Sequence, residues 1–299
     1  MIEVIGLTKS YGGRTRVDDV TFSVGDGRIV GFIGPNGAGK TTTMRTALGL
    51  EKPDSGRALF DGRPYGELPN PRQSVGAVLD AGALIPDLRA IELVRYCASV
   101  QGVDKARAER VLDMVGLSDA RRRKVRELSL GMRQRLALAA AILGNPGNYV
   151  LDEPLNGLDP SGIQWLRHLL IQLRDEGAAL LLSSHIITEL ELVADDVVLI
   201  NNGVLKLRSS LADLARGAGA RVHVVSEDVS SFIALAEGNG ATIVEANGRA
   251  VVVADLTAGE LFSLAAAHGL VLDELRTESV SLDDVYRRIV DTKIEGEAR

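Results

Sequence analysis

Gly34, Pro35, Asn36, Gly37, Ala38, Gly39, Lys40, Thr41 and Thr42 stand in an unbroken run whose first eight members fit the spacing G-x-x-x-x-G-K-[ST]. Glycines at these places let backbone N–H groups converge on phosphate oxygens that a Cβ would obstruct. A helix beginning at the end of the run would point its positive end at the same anion. Lys40 is suited to the β- and γ-phosphates of a nucleoside triphosphate. The Thr41 hydroxyl is suited to Mg²⁺, a hard cation that prefers oxygen. The expected ligands are therefore a nucleoside triphosphate and Mg²⁺.

Further along, Val150-Leu151-Asp152-Glu153 sets two carboxylates at the end of an apolar strand. In an open parallel sheet, ligands gather at the carboxyl ends of the strands. Asp152 is expected to hold the metal through water, and Glu153 to orient or deprotonate an attacking water. Alone, such a pair reads as a solvated turn; downstream of a phosphate loop it carries chemistry. Ser129 and Gly131 precede a helical run, so they could offer a hydroxyl and N–H groups to an anion, although a serine there also serves as a plain helix cap. His185 taken by itself reads as an ordinary helix-start histidine.

The elements that must position these residues are read from periodicity. Short strands are expected at Ile2–Val4, Lys9–Tyr11, Val17–Val20 and Thr21–Val24, with turns at Gly12-Gly13 and Gly25-Asp26-Gly27. Arg28–Ile33 reads as a strand buried on both faces, and a helix is expected from Gly39 to Leu50. Helical spacing from Leu88 to about Arg126 suggests an insert, roughly 85–130. Beyond it, Gly131–Leu143, Ile163–Glu176 and Ile186–Val193 read as helices and Asn148–Leu151, Ala178–Leu182 and Val197–Ile200 as strands. This alternation argues for a mostly parallel sheet. Asn148 is out of place in an otherwise apolar strand. The glycine-rich stretch 208–220 is expected to be a linker. After it the pattern restarts as β-α-β-β-α-β, ending in a helix over Leu282–Val290 and a charged tail, which fits a small ferredoxin-like layer.

Length and composition set outer limits. A chain of 299 residues fits one large domain and one small one. The net charge of -6 argues against a nucleic-acid partner, and the short cluster Arg121-Arg122-Arg123-Lys124 reads as a solvated helix end or loop. One cysteine, Cys97, allows no internal disulfide and fits a reducing compartment. No stretch has the apolar length a membrane span needs, and the N-terminus does not read as a signal peptide, so a membrane role is expected to come through a partner.

Leu128-Ser129-Leu130-Gly131-Met132-Arg133-Gln134-Arg135 resembles the signature of ABC-transporter ATPase subunits, in which Leu-Ser-Gly-Gly-Gln precedes a basic-Gln-Arg segment. Leu130 and Met132 depart from that pattern while the serine and second glycine stay. The resemblance spans about residues 1–207. It extends to Tyr11, matching the aromatic that stacks on adenine, to Asn156-Gly157-Leu158-Asp159-Pro160, matching the loop that crosses the dimer interface, and to Ser184-His185, matching the switch histidine that contacts the γ-phosphate. It implies a P-loop NTPase fold of α/β class with a mostly parallel sheet, an N-terminal antiparallel β subdomain and a helical insert. Domains would be 1–207 for the ATPase, 208–220 for the linker and 221–299 for a C-terminal α+β accessory part.

Functionally, the resemblance implies an ATPase that dimerises with a second copy or a paralogous subunit around two ATP. Each ATP would lie between Gly34–Thr41 of one chain and Ser129–Gly131 of the other. It also implies integral membrane permease subunits as partners, and a cytoplasmic, peripheral location on the inner face of the membrane. Asp80 stands where the family usually has Gln; it could reach Mg²⁺ through water but, ionised, donates no hydrogen bond. An acidic residue there, together with Ser281-Leu282-Asp283-Asp284-Val285-Tyr286, resembles drug- and bacitracin-resistance exporter subunits. Two alternatives stay open at this point: a non-transport ATPase of the same superfamily, and a module that binds ATP as a signal.

Overall fold

The computed structural model describes residues 1–185, 187–217 and 221–278. It has two compact units, Met1–Ser209 and a second beginning at Ser210. In the first unit, β1 (Ile2–Tyr11) and β2 (Arg14–Val24) form a hairpin, followed by β3 (Arg28–Ile33), α1 (Lys40–Ala47) and β4 (Ser55–Phe60). Next come the single turn α2 (Pro71–Ser74), β5 (Val75–Val78), α3 (Ala90–Gln101), α4 (Lys105–Met114) and α5 (Leu130–Ile142). The unit closes with β6 (Asn148–Leu151), α6 (Pro160–Asp175), β7 (Ala179–Ser184), α7 (Ile187–Glu191), β8 (Asp196–Asn201) and β9 (Val204–Ser210).

Two sheets share this unit. One is antiparallel, ordered β2-β1-β4; the other has six strands, ordered β5-β6-β7-β3-β8-β9. β5, β6, β7, β3 and β8 pair in parallel, and β3, β6, β7 and β8 are mostly apolar and buried almost along their whole length. Between the sheets, Val4, Phe22, Phe32, Met44, Val150 and Leu181 belong to one continuous core. Strand register places the site. Ile33 pairs with Ser184 and Leu151 with Leu182, so the residues after β3, β6 and β7 emerge side by side at one edge of the sheet.

Where the sequence suggests four short strands at the N-terminus, the structure has two long ones. The β1–β2 register shifts between Val4 and Leu7, and both Gly6 (φ 57) and Asp19 (φ 48) take the left-handed conformation of bulges. A bulge breaks the two-residue alternation without ending the strand, so periodicity reads it as a gap. The Gly12-Gly13 turn is as expected: both residues have positive φ, the two-residue hairpin geometry that matches strand twist. Helix α1 is shorter than expected, because Gly49 (φ 68) closes it in the left-handed conformation. Asn148, fully buried at the start of β6, donates its amide to Asp61 Oδ2 at 2.8 Å, which accounts for a polar residue in that strand.

Within the stretch 208–220, expected as a linker, the described residues carry regular structure. β9 runs to Ser210, and a helix, α8, spans Leu211–Gly217. Ser210 caps it: Asp213 N–H donates to Ser210 Oγ at 2.9 Å while that hydroxyl donates to Asp213 Oδ2 at 2.7 Å. The second unit continues with β10 (Arg221–Ser226), α9 (Val229–Gly238), β11 (Thr242–Asn247), β12 (Ala250–Ala254), α10 (Ala258–Ala267) and β13 (Leu272–Glu278). Its sheet is antiparallel in the order β11-β12-β10-β13, the arrangement that a split β-α-β with an inserted strand produces. Val222, Val224, Phe232, Val251, Val253 and Leu261 form its own core. The helix expected at Leu282–Val290 and the Ser281–Tyr286 segment lie outside the described residues.

Candidate nucleotide site

The phosphate run sits between β3 and α1, as the motif requires. Gly39 is the residue before the helix, with φ 111, and a Cβ there would stand 2.6 Å from the Arg16 carbonyl. At Gly34 a Cβ would approach the Ile200 carbonyl to 2.3 Å. Only glycine fits either place. The loop walls a cavity of about 300 Å³ lined by Tyr11, Arg16, Asn36–Thr42 and Glu153.

Lys40 is 6 % exposed, and its ammonium donates to Gly34 O at 2.6 Å and to Pro35 O at 3.3 Å. Burial pushes its pKa below the usual lysine range, opposed by the charges of Glu153 and Asp152. Thr41 Oγ1 donates to Asp152 Oδ2 at 2.6 Å, and the buried Ser183 hydroxyl donates to Asp152 Oδ1. Ser183 Oγ also accepts from Glu153 N at 2.8 Å. One buried serine thus ties both acidic residues to the end of β7.

Glu153 takes φ 47, a conformation that costs a non-glycine residue about 1–3 kcal/mol. That kink turns its carboxylate toward the loop: Oε1 lies 3.9 Å from Lys40 Nζ, and Oε2 meets His185 Nδ1 at 2.8 Å. Chemically, the cluster offers an anion cradle, two oxygens for a hard cation, and a carboxylate oriented by an imidazole and an ammonium.

The remaining expected residues lie elsewhere in this chain. Ser129 caps α5, accepting from Met132 N at 3.2 Å. Asp159 caps α6, accepting from Gly162 N at 2.9 Å and from Ser161 Oγ at 3.0 Å, and these bonds hold its carboxyl below the usual aspartate range. Gly131 and the Gly157 loop are in close contact, since a Cβ on Gly131 would stand 2.9 Å from the Gly157 carbonyl. None of these three lines the cavity. Asp80 follows β5, beside the acidic end of β6, but its carboxylate accepts from Gly82 N at 2.6 Å and caps the turn Ala81–Ala83. Among the described residues no group of three or more His, Cys, Asp and Glu could hold a metal by itself.

Two residues of the site carry little signal in the sequence. Ser183 has a weak one, as one of two serines closing an apolar strand. Arg16 has a weaker one: it lies two residues along β2 from Arg14, the residue that pairs with Tyr11.

A family model described as ABC transporter matches residues 17–156. The uncharacterized ABC transporter ATP-binding protein YhcH of Bacillus subtilis is 40 % identical over 69 % of this chain and 68 % of its own length. The bacitracin transport ATP-binding protein BcrA of Enterococcus faecalis is 32 % identical over 97 % of this chain and 96 % of its own. The chain belongs to the ABC transporter ATP-binding subunits. Its reaction is hydrolysis of ATP. A solved ATP-binding cassette, described as the dimeric post-hydrolysis state bound to ADP and phosphate, is 25 % identical with a TM-score of 0.63, over 71 % of this chain and 99 % of that one. That overlap falls short of the full chain, whereas BcrA matches along nearly all of it. Among the described residues of this ABC subunit, no helix is long and apolar enough to cross a membrane.

Proposed function

We propose that this ABC subunit binds ATP in the cavity beside Lys40, closes against a second ATP-binding subunit, and uses hydrolysis to drive integral membrane permease subunits that export a bacitracin-like peptide or similar amphipathic compound. The observation that carries the reading is the pair of linked networks, Thr41–Asp152–Ser183 and Lys40–Glu153–His185, at the end of three adjacent parallel strands. Export of such a compound is supported by the full-length likeness to a bacitracin transport ATP-binding protein. The C-terminal part, from residue 221 onward, serves as an accessory part of the subunit.

Each residue has a definable task. The loop Gly34–Thr42 cradles the phosphates and Lys40 pairs with the terminal ones. Thr41 and Asp152 fit a Mg²⁺ ion: both present hard oxygens, 2.6 Å apart, and the rest of the shell falls to phosphate and water. Bound there, the ion neutralises charge on the transferring phosphoryl group. Glu153 accepts the proton of the attacking water, and His185 holds that carboxylate in place. Asp80 would reach a Mg²⁺ ion held there only through water, and only if its bond to Gly82 were exchanged. Tyr11 stacks on adenine. Ser129, Gly131 and Asp159, absent from the cavity of their own chain, meet the nucleotide bound by the partner.

Glu153→Gln keeps the size and the His185 contact but removes the base. It is expected to bind ATP with near-unchanged affinity and to release phosphate about 10²–10⁴-fold more slowly. Wild-type turnover in the variant would refute the assignment.

A further inference from the structure

We propose that Arg16 is a nucleotide-binding residue whose guanidinium pairs with the α-phosphate; this rests on the cavity being the nucleotide site. Among the lining residues the cations are Arg16 and Lys40. Lys40 is committed to the inner end, bonded to Gly34 O and lying 3.9 Å from Glu153. Arg16 is half-buried, and among the described residues its side chain has neither a hydrogen-bond nor a salt-bridge partner. A guanidinium without a partner, in a cavity built for a polyanion, has its counter-ion supplied by the ligand.

Neighbouring contacts fix the backbone from which this side chain extends. Ideal Cβ positions on Gly39 and Gly203 lie 2.6 Å and 2.7 Å from the Arg16 carbonyl, so β2 abuts both the start of α1 and the β8–β9 turn. Asp18 N donates to Gly203 O at 2.8 Å and Gly203 N to Ala38 O at 2.9 Å, stitching β2 to the phosphate loop. Arg16 therefore stands on a platform that moves with the loop. Along β2 its backbone lies between the hairpin end that carries Tyr11 and the contact with Gly39, which precedes Lys40 and Thr41. A nucleotide with its base at Tyr11 and its terminal phosphates at Lys40 passes Arg16 with the phosphate next to the ribose. The planar fork of a guanidinium matches two non-bridging phosphate oxygens.

The test compares wild type, Arg16→Ala, Arg16→Gln and Arg16→Lys for binding of ATP, ADP, AMP and adenosine, by calorimetry for the tighter ligands and ligand-observed NMR for the weaker. Arg16→Ala and Arg16→Gln are expected to weaken ATP, ADP and AMP alike, by about tenfold, and to leave adenosine unchanged. Arg16→Lys recovers part of the loss. Unaltered ADP and ATP affinity in both neutral variants would overturn the proposal. So would a loss shared by adenosine, which places the contact on base or ribose, or a loss confined to ATP, which places it on the γ-phosphate. Nucleotide-free melting temperatures equal to wild type show that the fold is kept; if Arg16→Ala melts early, Arg16→Gln carries the comparison. Failure of the wild-type chain to bind ADP at all would instead sink the nucleotide-site reading beneath it.

Discussion

Lys40 shows most plainly how function and stability pull apart at a single residue. An ammonium 6 % exposed, whose pKa burial has lowered, is held in the free chain by two backbone carbonyls and a carboxylate 3.9 Å away. Desolvating a charge for such partners brings little net gain, so an apolar side chain of similar shape fits the pocket at least as well. Under the proposed function, its role is to pair with phosphate. Lys40→Met is therefore expected to melt at or above the wild-type temperature without nucleotide, while weakening ATP binding by about 10- to 100-fold. Scanning calorimetry and titration calorimetry read the two effects separately. A variant that lost stability and kept its ATP affinity would make Lys40 a structural residue. The neighbouring carboxylates obey the same division, with Asp152 anchored by two hydroxyls while Glu153 is held in a strained backbone conformation and turned toward the phosphate loop.

At the scale of elements, the site depends on strand register, and that decides what the sequence makes legible. The phosphate loop can be read directly because its residues are contiguous and each glycine is required by a close approach, as at Gly34 and Gly39. The acidic pair can be read because it ends an apolar strand. Ser183 and Arg16 act through neighbours distant in sequence, Glu153 for the one and Gly39 for the other, reached only once β6 lies beside β7 and β2 abuts α1. No local pattern encodes those distances. The N-terminal strands read as too short because the bulges at Gly6 and Asp19 hide continuity from a two-residue period. The segment after β9 reads as a linker because of its small residues and glycines, whereas Ser210 and Asp213 supply a helix cap. Caps also hold the second unit together. Thr257 Oγ1 accepts from Glu260 N at 3.3 Å, and Glu260 Oε2 accepts from Thr257 N at 2.8 Å. Thr257→Ala is expected to destabilise α10 by about 1 kcal/mol. Hydrogen exchange would then quicken in α10 and not in α1, with ATP affinity unchanged; uniform exchange across both units would contradict a local role for this cap.

For the whole molecule, the informative fact is which expected nucleotide ligands one chain fails to bring together. Ser129 and Asp159 each cap a helix of their own unit and do not line the cavity of Tyr11, Lys40 and Glu153. If they touch nucleotide, they touch that of another subunit, and each site is then shared by two chains facing head to tail. ATP in such an arrangement acts as an interfacial ligand, stabilising association only while the γ-phosphate bridges both sides. Ser129→Asp separates capping from ligand contact, since aspartate caps a helix as well as serine does but sets a negative charge against phosphate. In a Glu153→Gln background, where ATP persists, neither Lys40→Met nor Ser129→Asp chains are expected to dimerise on adding ATP. Mixing the two gives a different result. One interface of the mixed pair then carries both defects, and the other joins an intact phosphate loop to an intact Ser129. Size-exclusion chromatography with light scattering is therefore expected to show a mixed dimer with about one ATP per pair. If every site were completed within its own chain, the mixture would hold no intact site and remain monomeric, because each chain would keep its own defect.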